Sequence, residues 1–302
     1  MNAQPIRLVL IGDAGDHEAY QQVAERLRRA SLSADVFTSV EKALEKNDSF
    51  DAAIVRTPVD TRADAVCRLA EAGKHVLVEA PIAAVVADAE RAVAVAAKKN
   101  VTLMVGGTLR FLPGNETILA SLADNKLGAP GLLRVHRWSS GGSSGGSIGE
   151  RIAGDVDLAL HIFDGSPTRV YALQREPAYL QVHFGFDGGG MAVLDFARGL
   201  PEGQNYDSLH VIGATGAGYA DDHHNTHLVF RGGDAAARIA EQGTYHIARE
   251  VQAFVDAIVD GRPPAVTGEH ACDVLRIVEA VLGSLEAGKP LHRGADTYEV
   301  PA

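Results

Sequence analysis

Residues 50–80 read FDAAIVRTPVDTRADAVCRLAEAGKHVLVEA, two short apolar runs on either side of a segment with helical periodicity. The runs FDAAIV and KHVLVEA are continuously apolar at their centres, which is typical of parallel strands that are covered on both faces. The segment between them repeats apolar residues every three or four positions, as an amphipathic helix does. This stretch predicts a strand, a crossover helix and a second strand parallel to the first.

The same alternation extends in both directions, from residue 6 to residue 105. Upstream lie the apolar run IRLVLIG, a helical pattern near 17–30 and the run ADVFT; downstream, DAERAVAVAAKKN and VTLMVGG follow. The repetition predicts an α/β domain with a doubly wound, Rossmann-like parallel sheet, which we place at residues 1–108.

After residue 108 the pattern changes to one helical segment, the run LLRVHRW, a glycine–serine stretch and a helix near 152–163. Several strands separated by glycine-rich turns follow, which indicates an antiparallel sheet. Two helices close the chain, the first ending at Gly261 and the second at Gly288. We expect residues 109–302 to form a C-terminal α/β domain with an open, largely antiparallel sheet.

Charge and composition exclude several classes of partner. The 302 residues contain 39 acidic and 28 basic side chains, a formal net charge of −11 with no dense basic segment, so nucleic acid and anionic membranes are not expected partners. The chain has no charged leader and no run of 18 apolar residues, which predicts a cytoplasmic protein. Cys67 and Cys272 lie in amphipathic patterns, and we expect buried free thiols in a reducing compartment.

The turn after the first predicted strand, residues 12–17, reads GDAGDH where a dinucleotide-binding domain carries GxGxxG. Ala14 and His17 stand at the second and third glycine positions. Asp13 and Asp16 place negative charge where a pyrophosphate would bind, which opposes anion binding. The loop alone is therefore weak support for a nucleotide, and an ordinary strand-to-helix turn is the alternative interpretation.

A ribose-binding Asp or Glu is expected at the end of the second strand of such a domain. Asp35 instead opens the run ADVFT. One interpretation, which we favour, is that Asp35 only begins the strand. The other is that the region is shortened and Thr38 takes the ribose position.

The helix near 152–163 carries Asp157, His161 and Asp164 at positions i, i+4 and i+7, which predicts that all three lie on one face. A carboxylate one turn from an imidazole orients it and raises its basicity, as proton transfer to or from a hydroxyl or carbonyl requires. A solvated helix face or a core histidine is the alternative interpretation.

Residues 222–227, DHHNTH, cluster imidazoles with a carboxylate. Neighbouring residues of a strand point to opposite faces, so these side chains converge poorly on one ion. We expect a surface turn here and no metal site.

Residues 73–81, GKHVLVEAP, resemble the GKHVLxEKP signature of the Gfo/Idh/MocA oxidoreductases, the family of glucose-fructose oxidoreductase and inositol dehydrogenase. TPVDT at 57–61 resembles the family's TPxxTH turn, with Arg62 in place of the histidine. GGTLRF at 106–111 resembles the segment that opens its second domain, and DLALH at 157–161 resembles its DxGxH helix. The two closing helices are also similar, so the resemblance covers nearly the whole chain.

The resemblance implies a Rossmann domain, a second domain whose open sheet often pairs with another subunit, and NAD(P)-dependent hydride transfer on a sugar, cyclitol or related alcohol. In the family, the lysine of EKP and the histidine of DxGxH handle the hydroxyl proton, while the aspartate helps hold the substrate. His161 and Asp157 match, but Ala80 stands at the lysine position. Loss of one preorganised donor typically slows catalysis about 100- to 1000-fold.

The residues and the resemblance together define candidate sites. His161 and Asp157 are the catalytic candidates and, with Arg110, the substrate-binding candidates. Arg56 and Arg110 are candidates for anion contacts at the strand ends. The cofactor-binding candidates are Gly12, Asp13, Ala14, Gly15, Thr38, Thr57, Pro58, Glu79, Ala80 and Pro81.

Three functional hypotheses follow. The leading one is an atypical NAD- or NADP-dependent oxidoreductase that acts on a small polyol, sugar or carbonyl compound, with His161 as acid or base. A second is a non-redox family member that acts as a binding or partner subunit, suggested by the altered glycine loop, the missing ribose acid and Ala80. A third is a cofactor-independent lyase or isomerase. We expect a homo-oligomer formed through the C-terminal sheet, or an assembly with a homologous subunit.

Overall fold

The computed structural model describes residues 4–13, 15, 17–46, 49–140, 146–175, 178–201, 205–221, 226–230, 236–239, 244–295 and 297–301. The chain divides into two compact units, Met1–Phe111 with Gln242–Leu275 and Leu112–Glu241 with Arg276–Ala302. Compared with the predicted boundary after residue 108, the first unit thus includes a returning C-terminal segment. The reason is that this segment packs apolar side chains onto the parallel sheet.

The secondary structure alternates strands and helices first and is mainly strands afterwards. The helices are α1 (His17–Ala24), α2 (Val40–Leu44), α3 (Val59–Glu71), α4 (Val86–Lys98), α5 (Pro113–Ala123), α6 (Ile148–Phe163), α7 (Tyr245–Asp260) and α8 (Gly268–Ala287). The strands are β1 (Ile6–Gly12), β2 (Ala30–Phe37), β3 (Ala52–Arg56), β4 (His75–Val78), β5 (Leu103–Val105), β6 (Pro130–Ser140), β7 (Arg169–Arg175), β8 (Tyr179–Gly185), β9 (Met191–Leu200), β10 (Tyr206–Gly213), β11 (Ala217–Asp221), β12 (Thr226–Phe230), β13 (Ala236–Ile239), β14 (Leu291–Arg293) and β15 (Tyr298–Glu299).

The first unit contains a parallel sheet of five strands in the order β2-β1-β3-β4-β5. Leu8 and Leu10 of β1 lie in a core cluster with α1 and α7, whereas Val9 and Ile11 lie in another cluster with α3 and α4. Both faces of the sheet are thus covered, which explains the continuous apolar runs. The predicted doubly wound fold is confirmed.

The order of the strands locates a crevice in this unit. β1 lies between β2 and β3, so the chain leaves β1 toward one edge of the sheet and later returns past it toward the other. Open α/β sheets bind ligands outside the carboxyl ends of the strands at such a reversal. The ends of β1 and β3 are therefore the place to search for a site.

Two local predictions in this region were wrong. The helix predicted to run to residue 30 ends at Ala24, because the chain turns through Arg29 with φ 63° and β2 begins at Ala30. Asp35 does not begin a strand; it lies inside β2, with its carboxylate 3.2 Å from the ammonium of Lys46. Thr38 is the residue that follows β2.

The second unit is built on ten strands in the order β13-β12-β11-β10-β6-β9-β8-β7-β14-β15. Neighbouring strands run antiparallel except β6 and β9, which confirms the predicted, largely antiparallel sheet. Leu180, Val182 and Phe184 of β8 are buried on one face, whereas the alternating residues Tyr179 and His183 are partly exposed on the other. The second face is the open face of this sheet.

Within the part of the chain that the structure describes, no helix has the length and apolar character needed to cross a membrane. The two cysteines are buried free thiols, as predicted. No group of three or more described His, Cys, Asp and Glu side chains could hold a metal ion. Residues 222–225 of the DHHNTH segment lie outside the described residues.

Candidate functional site

Two adjacent strand ends meet closely at the crevice of the first unit. Gly12, the last residue of β1, pairs with Arg56, the last residue of β3. A Cβ on Gly12 would lie 3.1 Å from the Arg56 Cβ and 3.2 Å from its carbonyl oxygen, so a larger residue would push the strands apart. Gly15 differs, because its Cβ would meet no atom within 4 Å. The close approach of the two strands thus favours glycine at position 12.

Arg62 connects the ends of β3 and β4. This buried side chain, on α3, donates from Nε to the Thr57 carbonyl at 2.8 Å and from Nη1 to the Pro81 carbonyl at 2.9 Å. Its Nη2 donates to Glu79 Oε2 at 2.9 Å. Sequence reasoning treated Arg62 only as a departure from the family motif. The structure makes it the support of the loops that carry five candidate cofactor-binding residues, Thr57, Pro58, Glu79, Ala80 and Pro81.

Arg56 places a cation at the crevice. Its Nη2 lies 3.4 Å from Glu79 Oε1, its guanidinium lies 5.8 Å from the Tyr20 ring centre, and its side chain is 30% exposed. Burial raises the pKa of Tyr20 to about 12 although Arg56 opposes the shift, so the phenol stays protonated at neutral pH. A partly exposed guanidinium at this position can bind a phosphate group.

Ala80 occupies a tightly packed turn after β4. The Ala80–Pro81 peptide bond is cis, and Ala80 packs against the core cluster that contains α3 and α4. Gly106, after β5, donates from its N–H to the Val78 carbonyl at 2.6 Å, and a Cβ there would lie 3.3 Å from the Ala80 nitrogen. Since a methyl group carries no proton, the position of the signature lysine offers no acid or base.

Glu250 of α7 is a buried carboxylate that sequence reasoning missed. Its Oε1 accepts a hydrogen bond from the Gly107 N–H at 2.7 Å, and the donor hydroxyl of Thr108 lies 3.2 Å from Oε1 and 3.0 Å from Oε2. Burial raises the pKa of Glu250 to about 7, against the opposing effects of Thr108, Gly107 and Arg56. The available signal was its position in the apolar stripe of α7, between Ile247 and Phe254.

Thr57 provides a polar atom without a partner beside the crevice. Among the described residues, its Oγ1 is a buried side-chain oxygen with no hydrogen bond. Such a group costs about 1–3 kcal/mol when it stays unsatisfied, so a ligand that bonds to it is favoured. A dinucleotide has phosphate, ribose and amide groups able to do so. The orphaned hydroxyl and the partly exposed Arg56 guanidinium therefore fit a bound dinucleotide.

The remaining loop candidates are less well defined. Asp13 is exposed, and Pro58 is the N-cap residue of α3. Ala14 and Asp16 lie outside the described residues. Thr38 follows β2 and accepts a hydrogen bond from the ammonium of Lys42 at 3.1 Å.

In the second unit, α6 begins with a capping box in which Ser147 and Glu150 exchange hydrogen bonds with the backbone. Asp157 is buried on this helix, and His161 is exposed one turn later on the same side. The predicted alignment with Asp164 was wrong, because Asp164 caps the helix with φ 50° and leaves the helical path. The candidate pair is Asp157 and His161.

Arg110 makes internal contacts within the first unit. Its Nη1 donates to the Ala265 carbonyl at 3.1 Å, and its Nη2 lies 2.8 Å from Nε2 of His270. The side chain is 9% exposed. These contacts fasten the 3₁₀ turn after β5 to the segment around the start of α8; the substrate-binding role of Arg110 stays a prediction.

The comparisons with known proteins agree with this architecture. A model of an oxidoreductase family with an NAD-binding Rossmann fold, Gfo/Idh/MocA, matches residues 5–107. The matched segment is the parallel-sheet part of the first unit. It is 29% identical to D-xylose 1-dehydrogenase (NADP(+)) 2 of Haloferax volcanii, over 91% of this chain and 92% of that protein.

Two further comparisons cover most of the chain. It is 26% identical to myo-inositol 2-dehydrogenase of Thermotoga maritima, over 82% of this chain and 83% of that protein. The crystal structure of an oxidoreductase domain protein from Kribbella flavida has the same fold, with a TM-score of 0.84 at 21% identity over 96% of this chain and 99% of that one. The chain thus shares the fold of that protein and carries Ala80, Arg56 and Arg62 around its strand ends.

Proposed function

We propose that this chain is an NAD(P)-dependent oxidoreductase that acts on a small polyol, sugar or related carbonyl compound. The observation that carries the proposal is the crevice at the ends of β1 and β3, where the partly exposed Arg56 lies beside the unsatisfied Thr57 hydroxyl. The similarity to a xylose dehydrogenase and an inositol dehydrogenase supports this substrate class.

The residues that would hold the dinucleotide lie along the carboxyl edge of the parallel sheet. Gly12 and its turn, with Arg56, lie on the pyrophosphate side; Thr38 lies on the ribose side. Glu79, with Ala80 and Pro81, shapes the nicotinamide side. Bound NAD(P) supplies or accepts the hydride, and the protein supplies position, charge and proton transfer.

His161 is the proposed acid and base. In oxidation, a ring nitrogen of the neutral imidazole accepts the proton of the substrate hydroxyl; in reduction, the imidazolium returns it. The buried Asp157 one turn away orients the ring and stabilises its charged form. Because Ala80 cannot carry a proton, His161 performs this step without the second group that the family motif contains.

The first test is dinucleotide binding by the isolated chain. At 100 times Kd a ligand adds about 2.7 kcal/mol to the free energy of unfolding, which corresponds to a rise in Tm of several degrees. We expect NADPH or NADH at millimolar concentration to produce this rise in a thermal-shift assay, whereas nicotinamide alone should not. Unchanged Tm with both dinucleotides would contradict the proposal. Substrate screening then follows NAD(P)H absorbance with polyols, aldoses and their keto forms.

We also propose a homo-oligomer formed through the open face of the ten-stranded sheet. Four large apolar side chains on this face, Leu173, Tyr179, Met191 and Ile212, are 39–54% exposed. We expect light scattering to give a multiple of the 31.8 kDa chain mass. Met191→Asp should shift the population toward monomer, whereas Leu282→Asp, at an exposed position on α8, should not. A wild-type chain that elutes as a monomer would be inconsistent with the assembly.

A further inference from the structure

We propose that this chain selects NADP over NAD through a 2′-phosphate site formed by Thr38 and Lys42, beyond the carboxyl end of β2. The inference rests on the proposed function, since it concerns the adenosine end of the same dinucleotide. It names which of the two cofactors the chain prefers and which side chains determine the preference.

The sheet register places Thr38 beside the start of the glycine turn. Ile11 of β1 pairs with Phe37 of β2, so the next residues, Gly12 at the end of β1 and Thr38 just after β2, are neighbours. Adjacent strands lie about 4.8 Å apart. In a Rossmann sheet the turn after the first strand takes the pyrophosphate, and the end of the neighbouring strand faces the adenosine ribose. Thr38 therefore occupies the ribose position.

The charge at this position favours a phosphate over a free hydroxyl. A carboxylate there would accept a hydrogen bond from the ribose 2′-hydroxyl and repel a 2′-phosphate. Thr38 is neutral, and the Lys42 ammonium lies 3.1 Å from its Oγ1. The ammonium and the threonine O–H are both donors, as phosphate oxygens require.

The acids of residues 35–46 do not neutralise Lys42. Asp35 pairs with Lys46, and Glu41 pairs with Arg68. Lys42 contacts the neutral hydroxyl of Thr38 instead. Glu45 is the remaining described acid of residues 35–46, and it is exposed at the far end of α2. No described acid of residues 35–46 forms an ion pair with Lys42, so its ammonium can pair with a 2′-phosphate.

The site is tested with two nucleotides that differ only in the 2′-phosphate, 2′,5′-ADP and 5′-AMP, titrated into the wild-type chain by calorimetry. A charge-assisted hydrogen bond is expected to give about a tenfold or larger preference for 2′,5′-ADP. Lys42→Ala should lose most of this preference while its affinity for 5′-AMP is unchanged. Thr38→Asp should bind 5′-AMP more tightly than 2′,5′-ADP. Lys46→Ala, which removes a nearby lysine already paired with Asp35, is the matched control and should keep it.

The same variants are then titrated with NADPH and NADH, and circular dichroism checks that each is folded. Equal wild-type affinity for 2′,5′-ADP and 5′-AMP overturns the site, as does a preference that survives in Lys42→Ala. Binding of NADH as tightly as NADPH overturns the selectivity and leaves the proposed function intact. Binding of neither dinucleotide overturns both proposals.

Discussion

His161→Asn is expected to lower kcat for polyol oxidation by about 100- to 10,000-fold, the usual contribution of a general acid or base. Asparagine keeps a polar side chain at the exposed end of α6 but cannot accept the hydroxyl proton at neutral pH. The effect should be large because Ala80, at the position of the family's lysine, offers no second group to take over. Kd for NADPH should change little, since the proposed dinucleotide residues lie elsewhere in the chain.

Stopped-flow measurement of hydride transfer, together with a binding titration, separates these two effects. The wild-type pH profile of kcat/KM should contain a limb from the imidazole, and His161→Asn should remove that limb. His183→Asn, a histidine of the open sheet face that contacts Gln181 at 2.9 Å, controls for loss of an imidazole. A His161→Asn variant with the wild-type rate and pH profile would refute the assignment.

The fold was predictable where local pattern and tertiary environment agree. Residues 50–80 form β3, α3 and β4 as predicted, because helices cover both faces of the parallel strands and leave their apolar runs uninterrupted. The two closing helices likewise end at Gly261 and Gly288, whose φ angles of 62° and 61° suit glycine.

The end of α1 was not predictable from the local pattern. The local pattern favours a helix that continues to residue 30, but α1 ends at Ala24 and Arg29 lies beyond it. Its guanidinium contacts Asp256 at 3.2 Å and Asp260 at 2.5 Å, both on α7. These partners lie more than 220 residues away in the sequence, so no window of local periodicity contains them.

In the candidate site, too, some residues were predictable from the local sequence and others were not. Gly12, Thr57 and the Ala80–Pro81 turn were found because strand ends and a family motif mark them. Arg62 and Glu250 were missed because their roles depend on partners that only the folded chain provides, the Pro81 carbonyl for one and the Gly107 N–H for the other. A buried charged residue is recognised by its partners, and those are a property of the tertiary structure.

Glu250 makes the first unit less stable as the pH rises toward neutrality. Its pKa is about 7 in the folded chain and 4.5 in the unfolded reference. Between these values the folded chain retains a proton that the unfolded chain releases. The free energy of unfolding attributable to Glu250 therefore falls as pH rises through this window and is constant above it. The full change is about 3 kcal/mol.

Glu250→Gln isolates this contribution because the amide keeps an acceptor oxygen for Gly107 and Thr108 but cannot ionise. The variant should unfold at nearly the wild-type denaturant concentration at pH 5 and be more stable by up to about 3 kcal/mol at pH 8. Urea unfolding followed by circular dichroism at several pH values measures the difference. Glu45→Gln, the same change at an exposed position, should give no such divergence. Parallel curves for Glu250→Gln and the wild type would show that the carboxyl group is already ionised below neutral pH in the folded chain.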